Sequence, residues 1–164
     1  MLRWLWLAAA VILVDQASKQ VALATLSLHE PVPVMPLFNI TLVYNKGAAF
    51  SFLSEAGGWQ RWFFSLLAIV ISVLIVFWIK GLQRDRAWTA AGLALVLGGA
   101  LGNLMDRLAY GYVVDFIDVY YANHHWPTFN IADAAITVGA AILIVNQIFF
   151  HKPEPESPDP ERGS

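Results

Sequence analysis

The sequence lacks cysteine, and Asp, Glu, Lys and Arg together supply only 13% of its 164 residues. Without cysteine the chain can form no disulfide, no thiolate metal site and no cysteine nucleophile. A soluble domain is usually about one quarter charged, so this chain has too few ionisable groups to cover a surface that faces water. Because 58% of the residues are hydrophobic, we expect a membrane protein. Basic clusters are missing as well, which argues against a nucleic-acid partner.

Four segments are long and apolar enough to cross a bilayer, namely about 4–26, 62–79, 87–105 and 131–150. A helix needs about 20 apolar residues to cross roughly 30 Å of hydrocarbon. The second segment has no charge, whereas the first contains Asp15 and Lys19. The first segment could instead be a cleaved signal peptide, but its two charges argue against that interpretation. We therefore predict an all-α membrane protein with one four-helix domain over residues 1–152.

The basic residues divide unevenly between the two ends of such a bundle. One end has Arg3, Lys80, Arg84, Arg86, Lys152 and Arg162, and the other has Lys46, Arg61 and Arg107. Because the richer side is usually cytoplasmic, we expect both termini in the cytoplasm. The polar, proline-rich residues 153–164 indicate a disordered cytoplasmic tail.

Between the first two spans, apolar and aromatic residues alternate on both sides of Asn45-Lys46-Gly47. Alternation around such a turn favours a short β-hairpin that lies at the membrane surface. Gly47 would supply a positive φ at the turn. We therefore add a small β-hairpin, on the side of the membrane opposite the termini, to the predicted fold.

Three small residues, Ala94, Gly98 and Gly102, recur every four positions in the third span. This spacing places them on one helix face, where they allow a neighbouring helix to approach closely. The pattern predicts a packing contact and implies no chemistry.

Polar side chains inside the spans need partners, because charge is costly at membrane depth. Asp15 and Lys19 are four residues apart and can pair on one helix face, or Lys19 can extend to the membrane interface. Asn103 lies one turn inside the end of the third span, where its amide also needs a partner. Asp106 and Arg107, taken alone, fit simple caps of that helix end.

Two further carboxylates, Asp115 and Asp133, lie before and at the start of the fourth span. Asp115 lies in the apolar run from Val113 to Ile117, where burial would raise its pKa unless a partner compensates. The alternative interpretation is a turn or cap residue. Asn130 is a good N-cap, which puts Asp133 in the first turn of the helix, where acids are common. The topology places both carboxylates at one end of the bundle. If they touch, they share a proton as an aspartic protease requires.

Five motifs along the chain resemble those of lipoprotein signal peptidase (signal peptidase II), in that family's order. They are Asp15-Gln-Ala-Ser-Lys19, Tyr44-Asn45-Lys-Gly47-Ala-Ala-Phe50-Ser-Phe52, Gly102-Asn103-Leu-Met-Asp106-Arg107, Val114-Asp115-Phe116 and Phe129-Asn130-Ile-Ala132-Asp133. They cover nearly the whole chain apart from the tail, and their combination is far more specific than any one of them.

The resemblance implies a four-helix intramembrane aspartic peptidase with a small periplasmic β-cradle. It also implies a location in the bacterial inner membrane, with the active site at the periplasmic face. The family's catalytic residues correspond to Asp115 and Asp133. Matching positions that line or support the site are Asp15, Lys19, Asn45, Gly47, Asn103, Asp106, Arg107, Asn130 and Ala132. The implied substrate is a prolipoprotein whose cysteine carries diacylglycerol, cleaved just before that cysteine. Membrane lipid and globomycin-type cyclic peptide inhibitors are the other implied partners. We expect a monomer without a metal or cofactor.

A substrate of this kind needs a cleft that opens sideways to lipid, so that its acyl chains stay in the bilayer. We hypothesise that the Tyr44–Phe52 segment covers this cleft and that Asn45 hydrogen-bonds the substrate. The alternative is that the segment only anchors the protein at the membrane surface.

Other functions remain open from the residues alone. A transporter or proton channel also carries charges in its spans, but its ionisable residues should extend across the bilayer rather than gather at one end. A metal-dependent membrane protease could use His124, His125 and Asp118, although no His-Glu-x-x-His motif is present. A purely structural membrane protein is the third alternative.

Overall fold

The computed structural model describes residues 1–47 and 58–150. Its four long helices are α1 (Leu5–Thr25), α2 (Trp59–Gly81), α3 (Ala87–Ala109) and α4 (Ile131–Phe150). The four predicted helices are confirmed, and all four are long and apolar enough to cross a membrane. Their bounds differ most at α3, which continues through Asp106 and Arg107 to Ala109. These two side chains therefore lie within the last turn of a helix and do not follow its end.

Helix α3 is the centre of the bundle and packs against each of the other three helices. Its small residues make this possible. A Cβ atom added to Gly98 would lie 2.8 Å from the Ala8 carbonyl oxygen of α1, and one added to Gly102 would lie 2.6 Å from Asp15 Oδ2. The predicted close approach along this face is confirmed, and α1 is the helix that approaches.

The strands of the described residues form one antiparallel sheet in the order β1-β2-β3-β4. Its strands are β1 (Val32–Met35), β2 (Phe38–Asn45), β3 (Val113–Tyr121) and β4 (His124–His125). The predicted strand around Ile40–Tyr44 is confirmed as part of β2. The sheet is larger than the predicted hairpin, because β3 adds a strand from the connection between α3 and α4.

The hairpin of β2 in the described residues differs from the predicted one. Its partner is β1, which precedes it, and the turn between them contains Leu37 with a φ of 72°. The predicted turn at Asn45-Lys46-Gly47 ends β2, and Gly47 has the expected positive φ, 89°. The predicted second arm, residues 48–52, lies outside the described residues, as does the tail over 153–164.

Sheet and bundle meet where α3 ends and α4 begins. Ala22 of α1, Leu42 of β2 and Val114 of β3 form a small buried cluster between them. A backbone bridge joins Ile117 of β3 to Phe129, just before α4. These contacts hold β3 above the first turn of α4.

Candidate active site

Asp115 lies in the middle of the sheet, with only 1% of its surface exposed. Asn45 Nδ2 donates to its Oδ2 at 3.0 Å, and Asn130 Nδ2 donates to its Oδ1 at 2.7 Å. Burial and then the charge of Asp133 raise the pKa of Asp115 to about 7, although the two amide hydrogen bonds act in the opposite direction. Asp115 is therefore a strand residue whose carboxyl group gains or loses its proton near neutral pH.

Asp133 and Asn130 form a reciprocal cap at the start of α4. The Asp133 N–H donates to Asn130 Oδ1 at 2.9 Å, and the Asn130 N–H donates to Asp133 Oδ2 at 3.3 Å. Each side chain thus satisfies a backbone donor that a helix start leaves free. The predicted N-cap is confirmed. Asp133 keeps its other oxygen for Asn103 Nδ2, which donates to Oδ1 at 2.7 Å.

Two asparagines join the carboxylates of Asp115 and Asp133 in one network. Asn130, which is fully buried, contacts Asp115 with its amide nitrogen and caps Asp133 with its amide oxygen. Its nitrogen also lies 3.1 Å from Asn103 Oδ1, and Asn103 in turn donates to Asp133. The structure therefore brings together these four residues, which lie on α3, β3 and the start of α4.

Lys19 lies at the centre of a second group beneath this network. Its Nζ is 2.8 Å from Asp15 Oδ2, 2.9 Å from Asp106 Oδ2 and 2.9 Å from Asn103 Oδ1. Only 1% of Lys19 is exposed, so the alternative in which it extends to the membrane interface is wrong. Because Asn103 Oδ1 accepts from Lys19, its amide nitrogen is directed towards Asp133. Lys19 thus orients a neighbour of the candidate catalytic pair.

The two carboxylates beside Lys19 also accept hydrogen bonds from backbone N–H groups of other elements. Asp15 Oδ1 accepts the Ala132 N–H at 2.9 Å, and Asp106 Oδ2 accepts the Val114 N–H at 3.0 Å. Ala132 is fully buried and immediately precedes Asp133. Asp15 therefore positions the start of α4, while Asp106 positions the part of β3 that precedes Asp115.

The other predicted site residues lie at the rim of this group. Asn45 is bonded to Asp115, and its Oδ1 accepts the Gly47 N–H at 2.8 Å. A Cβ on Gly47 would lie 3.0 Å from the Phe64 ring, so this position favours glycine through both space and φ. Arg107 donates to the Asn103 carbonyl oxygen at 3.3 Å and lies over the Phe64 ring.

Gln16 was missed by the sequence analysis although it belongs to the same group. Its Nε2 lies 2.9 Å from Asp106 Oδ1, 3.1 Å from the Gly102 carbonyl oxygen and 3.2 Å from Asp15 Oδ2. A glutamine next to Asp15 within an apolar span was the available signal, because an amide in such a span needs partners.

A separate polar cluster on the sheet contains Asp118 and His125, which were named above as possible metal ligands, and also Asn39 and Thr41, which were missed. Asp118 Oδ1 lies 2.7 Å from His125 Nδ1, and Asn39 and Thr41 donate to Asp118 Oδ2 at 3.1 and 3.3 Å. Burial raises the pKa of Asp118, but the hydrogen bonds outweigh it and hold the pKa below its usual value. The available signal was the strand spacing of Asn39 and Thr41, which puts both side chains on one face. The cluster joins β2, β3 and β4.

Beside Asp133, an apolar groove of about 400 Å³ runs along α4. Trp126 and Phe129 form its wall near the sheet, and Thr137 and Val138 extend it along the helix. An apolar chain in this groove would have its polar end close to the Asp133 carboxylate.

Comparison with known proteins agrees with this architecture. Residues 7–149 match the profile of the family described as signal peptidase (SPase) II. The lipoprotein signal peptidase of Teredinibacter turnerae is 56% identical over 151 residues, which cover 92% of this chain and 90% of the relative. That of Alteromonas mediterranea is 53% identical over 145 residues, which cover 88% of this chain and 80% of the relative.

A solved structure of a bacterial membrane enzyme has the same fold, with a TM-score of 0.80 and 31% sequence identity. The match covers 91% of this chain and 94% of that enzyme. Sequence and structure therefore agree over almost the whole length of the chain, and not over a shared motif alone. This chain belongs to the signal peptidase II family.

Proposed function

We propose that this chain is an aspartic endopeptidase that removes signal peptides from prolipoproteins whose cysteine carries diacylglycerol. The observation that supports this most directly is the hydrogen-bonded network that contains both Asp115 and Asp133. One carboxyl group must be protonated and the other ionised for this chemistry. Cleavage occurs just before the lipid-modified cysteine.

The proposed mechanism uses one water and one shared proton. Asp133, which accepts N–H groups from Asn103 and Asn130, takes a proton from the water as it attacks the scissile carbonyl. Asp115, whose burial raises its pKa, donates its proton to the carbonyl oxygen. The tetrahedral intermediate then collapses and the C–N bond breaks. The proton held by Asp133 passes to the leaving amine, and a hydroxyl proton of the intermediate returns to Asp115 as the new carbonyl forms.

Access for the substrate is supported by the groove beside Asp133. Its apolar lining faces the region where lipid would surround α4, so an apolar part of the substrate can stay in the bilayer while the peptide bond reaches the carboxylates. The uneven distribution of basic residues supports an inner-membrane location with the carboxylates at the periplasmic face. Globomycin-type cyclic peptides would occupy the same cleft.

The decisive experiment is a gel-shift assay of a purified diacylated prolipoprotein with the enzyme and its variants. We expect Asp115→Asn and Asp133→Asn each to lose nearly all cleavage, roughly a thousandfold or more, and the double variant to be scarcely worse, because residues that act as one unit are not additive. Asp85→Asn, which changes an exposed acid between α2 and α3, is the matched control. Robust cleavage by either single variant would refute the assignment.

A further inference from the structure

Two adjoining cavities begin at the end of the bundle opposite the carboxylates. The first, of about 730 Å³, is bounded by the α2–α3 connection and the end of α4. The second, of about 460 Å³, continues along α4 as far as Val138, with Trp88 at the start of α3 as part of its wall. Asn146 lines both, and its amide donates to Thr89 Oγ1 at 2.7 Å. The two cavities are therefore neighbours, with a polar side chain at their junction.

The first cavity is equipped to bind an anion. Arg86 lines it, together with the amide side chains of Gln83, Asn146 and Gln147. No carboxylate belongs to the lining within the part of the chain that the structure describes. Arg86 also makes no ion pair with any residue of 1–47 or 58–150. A phosphate would supply the acceptors that this guanidinium and these amides require.

The second cavity has the opposite character. Apart from Asn146, its lining consists of Trp88, Val138, Ala141, Ile142 and Val145, all apolar or aromatic. Trp88 and Val145 are largely exposed at the surface of the bundle. An acyl chain fits such a lining, because it buries apolar surface without needing hydrogen bonds.

We propose that the two cavities together bind one anionic phospholipid. Its phosphate contacts Arg86 and the neighbouring amides, and one acyl chain lies along the apolar cavity past Asn146. Charge complementarity selects the occupant, since basic pockets between membrane helices bind the head groups of anionic lipids. The adjoining apolar groove selects a lipid over a free phosphate.

The phosphate end of this lipid site lies far from the candidate active site, whereas its apolar cavity shares Val138 with the groove beside Asp133. Thr89 and Asn103 are separated along α3 by about 20 Å, at 1.5 Å per residue. Loss of the lipid therefore leaves the network around Asp115 and Asp133 in place. Lipid binding at this site does not depend on the peptidase mechanism, so an experiment can contradict either one without affecting the other.

The test compares lipids on the delipidated full-length protein in a neutral detergent. We would add dioleoyl phosphatidylglycerol or dioleoyl phosphatidylcholine, count bound copies by native mass spectrometry, and record the melting temperature. We expect one retained phosphatidylglycerol and an increase of several degrees, with a much smaller effect of phosphatidylcholine. Inorganic phosphate should have no effect, and an equal shift with phosphate alone would overturn the assignment to a lipid.

Variants separate a specific site from lipid that coats any membrane protein. Arg86→Gln should weaken phosphatidylglycerol binding about tenfold or more, whereas Arg84→Gln, an exposed arginine of the same loop that lines neither cavity, should bind like the parent. Ala141→Trp should fill the apolar cavity and also abolish retention. Circular dichroism checks that each variant is folded. Equal binding by the Arg86→Gln and Arg84→Gln proteins would overturn the proposal.

Discussion

Asp115 shows how one side chain can be tuned by opposing contacts. Burial and the charge of Asp133 favour its protonated form, while hydrogen bonds from Asn45 and Asn130 favour its ionised form. The net effect leaves the pKa near 7. Asn45 was expected to contact substrate, but in the structure its amide is bonded to Asp115. We therefore infer that Asn45 also sets the proton affinity of the candidate acid.

The raised pKa of Asp115 predicts a dependence of stability on pH. The folded chain holds the proton up to about pH 7, whereas an ordinary aspartate loses it near pH 3.8. Because the folded state binds more protons in this window, the free energy of unfolding falls as pH rises from about 4 to about 7. Replacing Asp115 by Asn removes this decrease in the free energy of unfolding. From pH 5 to pH 7 the variant should gain about 2 kcal/mol relative to the parent, at about 1.4 kcal/mol per pH unit.

Thermal unfolding in detergent at several pH values measures this effect. The difference in melting temperature between Asp115→Asn and the parent should grow by several degrees up to pH 7 and level off above it. The exposed Asp85→Asn control should show a constant difference. A constant difference for the Asp115 variant as well would contradict the raised pKa.

At the scale of elements, glycine in α3 decides how close α4 can lie. A Cβ on Gly99 would collide with the Ala132 carbonyl oxygen and lie 2.7 Å from Ile136 Cγ1. The first turn of α4 therefore rests directly on the backbone of α3. Because of this close contact, Asp15 of α1 can accept the Ala132 N–H. The contact also determines the position of the Asp133 carboxylate relative to α3.

We predict that Gly99→Ala displaces the start of α4. The overpacking should cost about 1–3 kcal/mol of stability, and cleavage should fall by about tenfold or more because the Asp133 carboxylate moves. Thermal unfolding and the prolipoprotein gel shift measure the two effects. Gly81→Ala is the control, since a Cβ there has nothing within 4 Å. Normal cleavage by Gly99→Ala would show that the contact does not position the site.

The strand β3 illustrates what a local pattern misses. Its residues are rich in Val, Ile, Phe and Tyr, a composition typical of strands, yet it was interpreted only as an apolar run with a possible turn. The pairing of Asp115 with Val43 on β2 depends on register between segments distant in sequence. That register places Asp115 beside Asn45 and cannot be derived from β3 alone.

At the scale of the whole molecule, the hydrogen-bonded side chains of the candidate site come from α1, β2, α3, β3 and the start of α4. Helix α1 supplies Asp15 and Lys19, α3 supplies Asn103 and Asp106, and Asp115 comes from the sheet. The polar groups of this site gather at one end of the bundle. This arrangement differs from the transporter alternative, in which ionisable residues would extend across the bilayer.

The orientation of this end remains a prediction that labelling can test. Because the chain has no cysteine, single cysteines report unambiguously. A cysteine at Asn123, in the exposed turn between β3 and β4, should react with a membrane-impermeant maleimide added to the periplasmic side. A cysteine at Gln83, between α2 and α3, should react only after the membrane is opened. Labelling of the Gln83 variant in intact cells would overturn the proposed topology.

The sequence alone determined those features of this protein that depend on neighbouring residues. The four spans follow from apolar length, the pairing of Asp15 with Lys19 from a four-residue spacing, and the cap of Asn130 on Asp133 from a three-residue spacing. Each depends on residues within one or two helical turns. Their geometry is set by the backbone hydrogen bonds of a single element.

Only the tertiary structure decided which polar groups meet. The Ala132 N–H and Asp15 are 117 positions apart, and Lys19 and Asn103 are 84 positions apart. Such contacts depend on the approach distance between helices and on strand register, which many residues determine together. Spacing along the sequence could therefore not show where Gln16 lies, that Lys19 also contacts Asp106 and Asn103, or that Asn45 hydrogen-bonds Asp115. These contacts follow from packing α1, α3 and α4 under one sheet.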